Sequence, residues 1–247
     1  SREEWENYKH RINVDFSRLS QESIDAYKHA VKENRYIIIS PSEPMWYTIK
    51  LLYEAEALIK TVTDPDFIEE IVAYYTEFNI GMLEELFSNG FEFDALWFFS
   101  DLCYKNGMIF SPDFFRERVM PYQKRIYDFC KSKNMKIIYH CCGNVNRILP
   151  LLIEAGIDCI QPMEARAGND VREYKRLYGN QIAFMGNISV DVMGTTRNCI
   201  EEEIKSKITI AKEGGGYIYH SDHSIPPSVS FENYCTVMEM VNKYGKY

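Results

Sequence analysis

The segment His140-Cys141-Cys142-Gly143-Asn144 directly follows the apolar run Lys136-Ile137-Ile138-Tyr139. In extended backbone, residues i and i+2 point to the same side. His140 and Cys142 therefore present an imidazole and a thiol to one point, and Cys141 faces the opposite way, toward packing. Such an N/S donor pair suits Zn²⁺. A third ligand must come from elsewhere in the chain. His220 and His223 are the distant partners, and His223, inside the loop Ser221–Pro227, is the better placed. Asp101 follows Ala95-Leu96-Trp97-Phe98-Phe99-Ser100 and is expected as a carboxylate at a strand end. Glu164 and Asn187 carry oxygen and nitrogen atoms that can meet substrate oxygens, and Ser100, Gln161 and Met163 lie beside them at strand ends. The plainer alternatives are loop residues satisfying backbone, a His223–Asp222 hydrogen bond and a Cys142 that is merely packed.

These residues need a framework to bring them together. Short apolar runs, rich in β-branched and aromatic residues, recur at Tyr36–Ile39, Ala95–Phe99, Lys136–Tyr139, Asp158–Ile160, Ile182–Met185 and Tyr217–Tyr219. They alternate with helical patterns, which reads as repeated βα units around a buried parallel sheet. Strand ends are expected near residues 40, 100, 140, 162, 186 and 220, parallel and adjacent in that order. Helix starts are signalled by Asp64-Pro65, Ser111-Pro112, Asn144, Asn169-Asp170 and Ser230, and stops by Gly156, Gly179 and Gly245. The helix from Pro112 is expected to reach about Lys133. Residues 1–35 read as two helical stretches without a strand. Polar residues gather immediately after the strands. In α/β folds the carboxyl ends of the strands form one face, where ligands bind.

Composition narrows the function classes. The chain has 247 residues and a net charge of −8, which argues against a nucleic-acid footprint. Its 18 Tyr, 14 Phe and 3 Trp exclude intrinsic disorder. No apolar run approaches the roughly 18 residues needed to span a bilayer, so no membrane role is expected. Seven scattered cysteines with no secretory signal at Ser1–His10 point to reduced thiols and a cytoplasmic setting.

Several segments together resemble the uroporphyrinogen decarboxylase superfamily. They are Gly107-Met108-Ile109-Phe110-Ser111-Pro112, Ile160 through Asp170, Tyr178-Gly179, Phe184-Met185-Gly186-Asn187-Ile188 and Ser221-Asp222-His223-Ser224-Ile225-Pro226-Pro227, in order and with fitting spacing. The resemblance runs from about Pro41 to the C-terminus. It implies a (β/α)₈ TIM barrel, to which this chain supplies about six βα units, strands three to eight, as a single partial-barrel domain. The resemblance also implies that about 90 to 110 residues expected before Ser1 are missing.

The superfamily holds two chemistries, and the resemblance implies one of them here. The first is zinc-assisted methyl transfer between a corrinoid protein and a thiol or folate acceptor, or a related demethylation. The second is decarboxylation of a tetrapyrrole in porphyrin biosynthesis. In the thiol-acceptor methyltransferases the zinc sits on a His-x-Cys pair plus a later Cys. His140 and Cys142 match the pair, and His223 stands where the later Cys would be. Asp101 and Glu164 are then the catalytic candidates, with Ser100, Gln161, Met163 and Asn187 at the substrate. The expected cofactors are Zn²⁺ and a methylcobalamin or other corrinoid on a partner protein, and the other partner is a small-molecule methyl acceptor. The decarboxylase reading needs more cations than Arg147 and Arg166 provide. A non-catalytic, ligand-binding partial barrel is the third possibility. Six strands alone would leave apolar edges, so a homo-oligomer is expected.

Overall fold

The computed structural model describes all 247 residues. The chain forms two compact units: Ser1–Phe99 with Asp113–Ile137, and Ser100–Pro112 with Ile138–Tyr247.

The first unit begins with helices α1 (Arg2–Tyr8) and α2 (Gln21–Lys32), joined by two short 3₁₀ turns and no strand. Ser1 and Glu4 close a capping box on α1. Trp5 is buried against Phe67, Ile71 and Tyr75, and its indole N–H reaches Glu70 Oε1 at 3.0 Å. Strand β1 (Ile38–Ile39) pairs in parallel with β2 (Ala95–Phe99), Ile38 opposite Ala95. Between them run α3 (Pro44–Leu51), α4 (Ala55–Thr63) and α5 (Pro65–Ser88). Phe67, Ile68, Ile71, Val72 and Tyr75 recur along α5 at three- and four-residue spacing, so that they share one buried stripe. Pro65 opens α5 as expected. The Asp64 side chain does not cap it, because the carboxylate is drawn off by Arg2 at 2.9 Å.

The stretch expected as one helix from Pro112 divides into α6 (Pro112–Arg118) and α7 (Met120–Ser132). Pro121 explains the break, since it has no N–H to continue the ladder and fits only in a first turn.

The second unit opens with a hairpin that the strand pattern did not suggest. Strands β3 (Cys103–Tyr104) and β4 (Gly107–Met108) pair antiparallel, Tyr104 opposite Gly107, across the turn Lys105-Asn106. Next come β5 (Lys136–Cys141, whose first two residues lie in the first unit), β6 (Cys159–Pro162), β7 (Ala183–Met185) and β8 (Tyr217–Ile218). These four are hydrogen-bonded neighbours in chain order, all parallel. The six expected strands end at Ile39, Phe99, Cys141, Pro162, Met185 and Ile218, each within two residues of its expected position. Every residue of β6 is buried, as suits a strand covered on both faces.

The covering helices of this unit are α8 (Leu149–Ala155), α9 (Val171–Tyr178), the single turn α10 (Val190–Met193), α11 (Arg197–Ala211) and α12 (Phe231–Tyr244). Helix α11 packs on both α9 and α12. Ser230 caps α12, and Gly156 ends α8 in the left-handed region. Asp170 caps α9 by accepting from Arg172 N at 2.9 Å. Asp170→Ala should cost about 1 kcal/mol, read as a lower midpoint in urea unfolding with an unchanged slope. Asn144 does not begin α8. It makes a local turn to Asn146 N and ties Ala167 O with its amide, and the helix starts five residues later.

No helix is long and apolar enough to cross a membrane.

Candidate metal centre

The end of β5 and the residue pair after β2 build the site, all within the second unit. Ser100 N donates to His140 O at 3.1 Å, which fixes the backbone of Ser100-Asp101 against the strand end. Asp101 Oδ1 then accepts from Cys142 N at 3.2 Å. His140 Nε2 lies 3.3 Å from the same Oδ1 and 3.6 Å from Cys142 Sγ. Donor atoms of Asp101, His140 and Cys142 all fall within 4.8 Å of one another.

These distances can be tested against a metal. Bonds of about 2.0–2.3 Å in a tetrahedral zinc site place neighbouring donors about 3.3–3.6 Å apart. The N–O and N–S separations of 3.3 and 3.6 Å match those edges. One tautomer of His140 suits a metal. His140 Nδ1 faces Gln161 Oε1 in a short hydrogen bond, so Nδ1 carries the proton and Nε2 turns a lone pair toward Asp101 and Cys142. In that tautomer Nε2 is the ring atom free to accept, either from the Cys142 thiol at 3.6 Å or from a metal ion. Asp101, His140 and Cys142 therefore fit a borderline divalent ion such as zinc, with one protein ligand of each type and room for a fourth.

The electrostatics carry the same asymmetry. Burial pushes the Asp101 carboxyl up, but the His140 imidazole beside it and the N–H of Cys142 outweigh that and hold the group below its ordinary value. The Cys142 thiol is pushed up to about 12, by burial first and then by the charges of Asp101 and Glu164. Without a cation, Cys142 is a thiol at neutral pH. Cys141, completely buried, faces away from the triad, and its thiol is raised first by its hydrogen bond with Cys103 and then by burial.

A cleft of about 370 Å³ adjoins the triad, lined by Asp101, Cys142, Glu164, Arg166 and the hairpin residues Cys103 to Lys105. Gly143 brings the hairpin this close. Its φ is +82°, and an added Cβ would sit 2.8 Å from backbone atoms of Cys103 and Tyr104. Asn144 N also donates to Tyr104 O at 2.9 Å.

The other sequence candidates fall into distinct positions. Glu164 lines the cleft, and it accepts from Gly143 N at 2.9 Å and from Arg166 Nε at 2.5 Å. Gln161 touches His140 and not the cleft. Ser100 is fully buried and accepts from Tyr139 OH at 3.0 Å. Met163 is fully buried, and its carbonyl accepts from Asn187. Asn187, expected at the substrate, has its carboxamide engaged by backbone. It donates to Met163 O and Asn169 O and accepts from Val171 N.

His223 does not join the converging group. The inward-facing residue of its loop is Asp222, almost wholly buried, whose two oxygens accept from Ala165 N and Val190 N, each at 2.9 Å. That anchor sets the path of the loop, and His223 O is held by Ser221 Oγ at 2.7 Å. The donor the structure adds to His140 and Cys142 is Asp101.

Sequence reasoning passed over Asn169 and the hairpin. Asn169 fastens Gly143 O, Glu164 O and Val145 N at once. Its only sequence signal is the Asn169-Asp170 helix start. The hairpin gave a weaker signal, Asn106-Gly107, whose glycine lies past the two-residue turn and pairs with Tyr104.

Residues 18–244 match the family described as uroporphyrinogen decarboxylase (URO-D). Over 136 residues the chain is 29% identical to a methylcobamide:CoM methyltransferase MtaA of Methanosarcina barkeri, which covers 55% of this chain and 38% of that protein. Over 138 residues it is 25% identical to a uroporphyrinogen decarboxylase of Legionella pneumophila (strain Corby), covering 56% and 38%. The matched part is thus about two fifths of the length of these relatives. Among solved structures, a methyltransferase from Methanosarcina mazei superposes with a TM-score of 0.69 at 21% identity, over 91% of this chain and 64% of the other, which is a likeness of fold. With the family match spanning nearly its whole length, the chain belongs to the uroporphyrinogen decarboxylase family.

Proposed function

We propose that the protein is a methyltransferase of this superfamily, moving a methyl group between a corrinoid carried by a partner protein and a small acceptor, with zinc held by Asp101, His140 and Cys142. The observation that carries the reading is the spacing of the three donors, 3.3 and 3.6 Å about His140 Nε2. The match to the Methanosarcina barkeri methyltransferase supports it. Zinc bound there supplies the Lewis acidity that makes an acceptor thiol available as thiolate near neutral pH.

The chain's own residues do the rest. The Asp101 carboxylate stays ionised and braces the Cys142 backbone. Glu164 holds the Gly143 turn in place from the other side and keeps Arg166 at the cleft. The hairpin walls the cleft and limits what reaches the donors.

The Legionella match keeps decarboxylation of a tetrapyrrole as the second reading. The cleft is narrow for a macrocycle, and it offers only Lys105 and Arg166 as cations. The deciding assay supplies zinc-loaded protein with methylcobalamin and a series of thiols, and in parallel with uroporphyrinogen. Loss of the methylcobalamin absorbance together with methylated thiol is expected. Decarboxylated porphyrinogen without methyl transfer would replace the reading.

A further inference from the structure

We propose that Gln161 is a positioning residue that decides whether His140 can accept a metal, and that His220 competes with His140 for its carbonyl oxygen. The inference rests on the metal reading above and deepens it.

Strands β5 and β6 pair with His140 directly opposite Gln161. Parallel neighbours in register point their side chains to the same face, so the imidazole and the carboxamide meet. Both are buried. The Gln161 oxygen takes His140 Nδ1, and its nitrogen lies 3.4 Å from His220 Nδ1. His220 Nδ1 is also 2.5 Å from Ser221 O. A carbonyl at that distance requires the proton on His220 Nδ1. The Gln161 amide nitrogen therefore faces another N–H, a poor partner, while its oxygen would be a good one.

A carboxamide has one accepting end and one donating end. With the oxygen toward His140, Nδ1 keeps its proton and the Nε2 lone pair faces Asp101 and Cys142. Turned over, the oxygen would accept from His220 and the NH₂ would donate to His140 Nδ1. The His140 proton would then sit on Nε2 and close on Asp101 Oδ1, 3.3 Å away. Both arrangements satisfy the histidines, but only the first leaves Nε2 without a proton. A metal favours the first, and His220 favours the second. Gln161 is thus not a substrate contact. It sets the His140 tautomer, as outer partners of metal-binding histidines do.

The experiment measures zinc affinity of the full chain by chelator competition, for wild type, Gln161→Leu, Gln161→Glu and His220→Phe. Long-range ¹H–¹⁵N correlations report the His140 tautomer in the zinc-free proteins. Gln161→Leu should weaken zinc binding about 10–100-fold. Gln161→Glu, with an acceptor for each histidine, should bind at least as tightly as wild type and show His140 protonated at Nδ1. His220→Phe, with the competitor removed, should bind more tightly than wild type. Wild-type affinity in Gln161→Leu, or a Gln161→Glu protein with His140 protonated at Nε2, would overturn the inference and leave the metal reading standing. If Gln161→Leu does not fold, the Gln161→Glu tautomer decides alone. A wild type that takes up no zinc would overturn the metal reading and this inference with it.

Discussion

Cys142→Ser is expected to strip the protein of stoichiometric zinc while leaving it folded, and to abolish methyl transfer in the same preparation. Structural zinc sites are worth roughly 10–16 kcal/mol over four ligands, so one thiolate accounts for about 2.5–4 kcal/mol, or two to three decades of affinity. Ser preserves the volume at a half-buried strand end, and the hydrogen bond from the residue 142 N–H to Asp101 is kept. Near-native circular dichroism should therefore accompany the loss of metal. Two companion substitutions make the result specific. Cys141→Ser, one residue away but facing Cys103, should keep full zinc content. His223→Ala should also keep it if Asp101 is the third donor, whereas Asp101→Asn should lose one to two decades, since an amide oxygen lacks the carboxylate charge. The reverse pattern, metal lost with His223→Ala and kept with Asp101→Asn, would assign the third position to the Ser221–Pro227 loop.

Gly186→Ala should be the most destabilising single-methyl change in the second unit. Gly186 has φ +124°, a region closed to other residues, and an added Cβ would lie 2.2 Å from Pro162 O. That oxygen is already the acceptor for Asn187 N at 2.8 Å, so the clash cannot be relieved by moving a flexible side chain. The backbone at the end of β7 must shift, and Asn187, which clamps three further backbone groups, shifts with it. Strain and overpacking together should cost about 3–6 kcal/mol. At about 2–4 °C per kcal/mol for a chain of this size, the melting temperature should fall by roughly 6 °C or more. A fall of less than about 3 °C would mean that the loop has an alternative path.

The strand frame was legible because its signal is local. Apolar runs of four or five residues, cut off by polar clusters, locate strand ends without knowledge of their partners. The His140/Cys142 pair was legible for the same reason, since a pleat puts i and i+2 on one side. What failed depends on where loops travel. Asp64 and Asn144 have the side chains of helix caps, but Arg2 takes one and Ala167 O occupies the other. Both partners are remote in sequence. Asn187 has the character of a substrate ligand, yet three backbone groups reach it first. His223 and Asp222 are adjacent, and nothing in their order says which one turns inward. Asp101 was read correctly as a carboxylate at a strand end. Its approach to His140 Nε2 required the Ser100 N to His140 O bond, a pairing that no local pattern encodes.

The hairpin held against Gly143 divides the labour of the site between two pieces of chain. The candidate donors stand at the end of β5 and on the residue after Ser100, whereas the outer wall of the cleft is Cys103, Tyr104 and Lys105 of the hairpin. A change in the side chain of Lys105 alters the size and charge of what can enter without moving a metal donor. A change at Gly143 disturbs both at once. On the methyl-transfer reading proposed above, substitution at Tyr104 or Lys105 would reshape the entrance for a different acceptor while leaving Asp101, His140 and Cys142 in place.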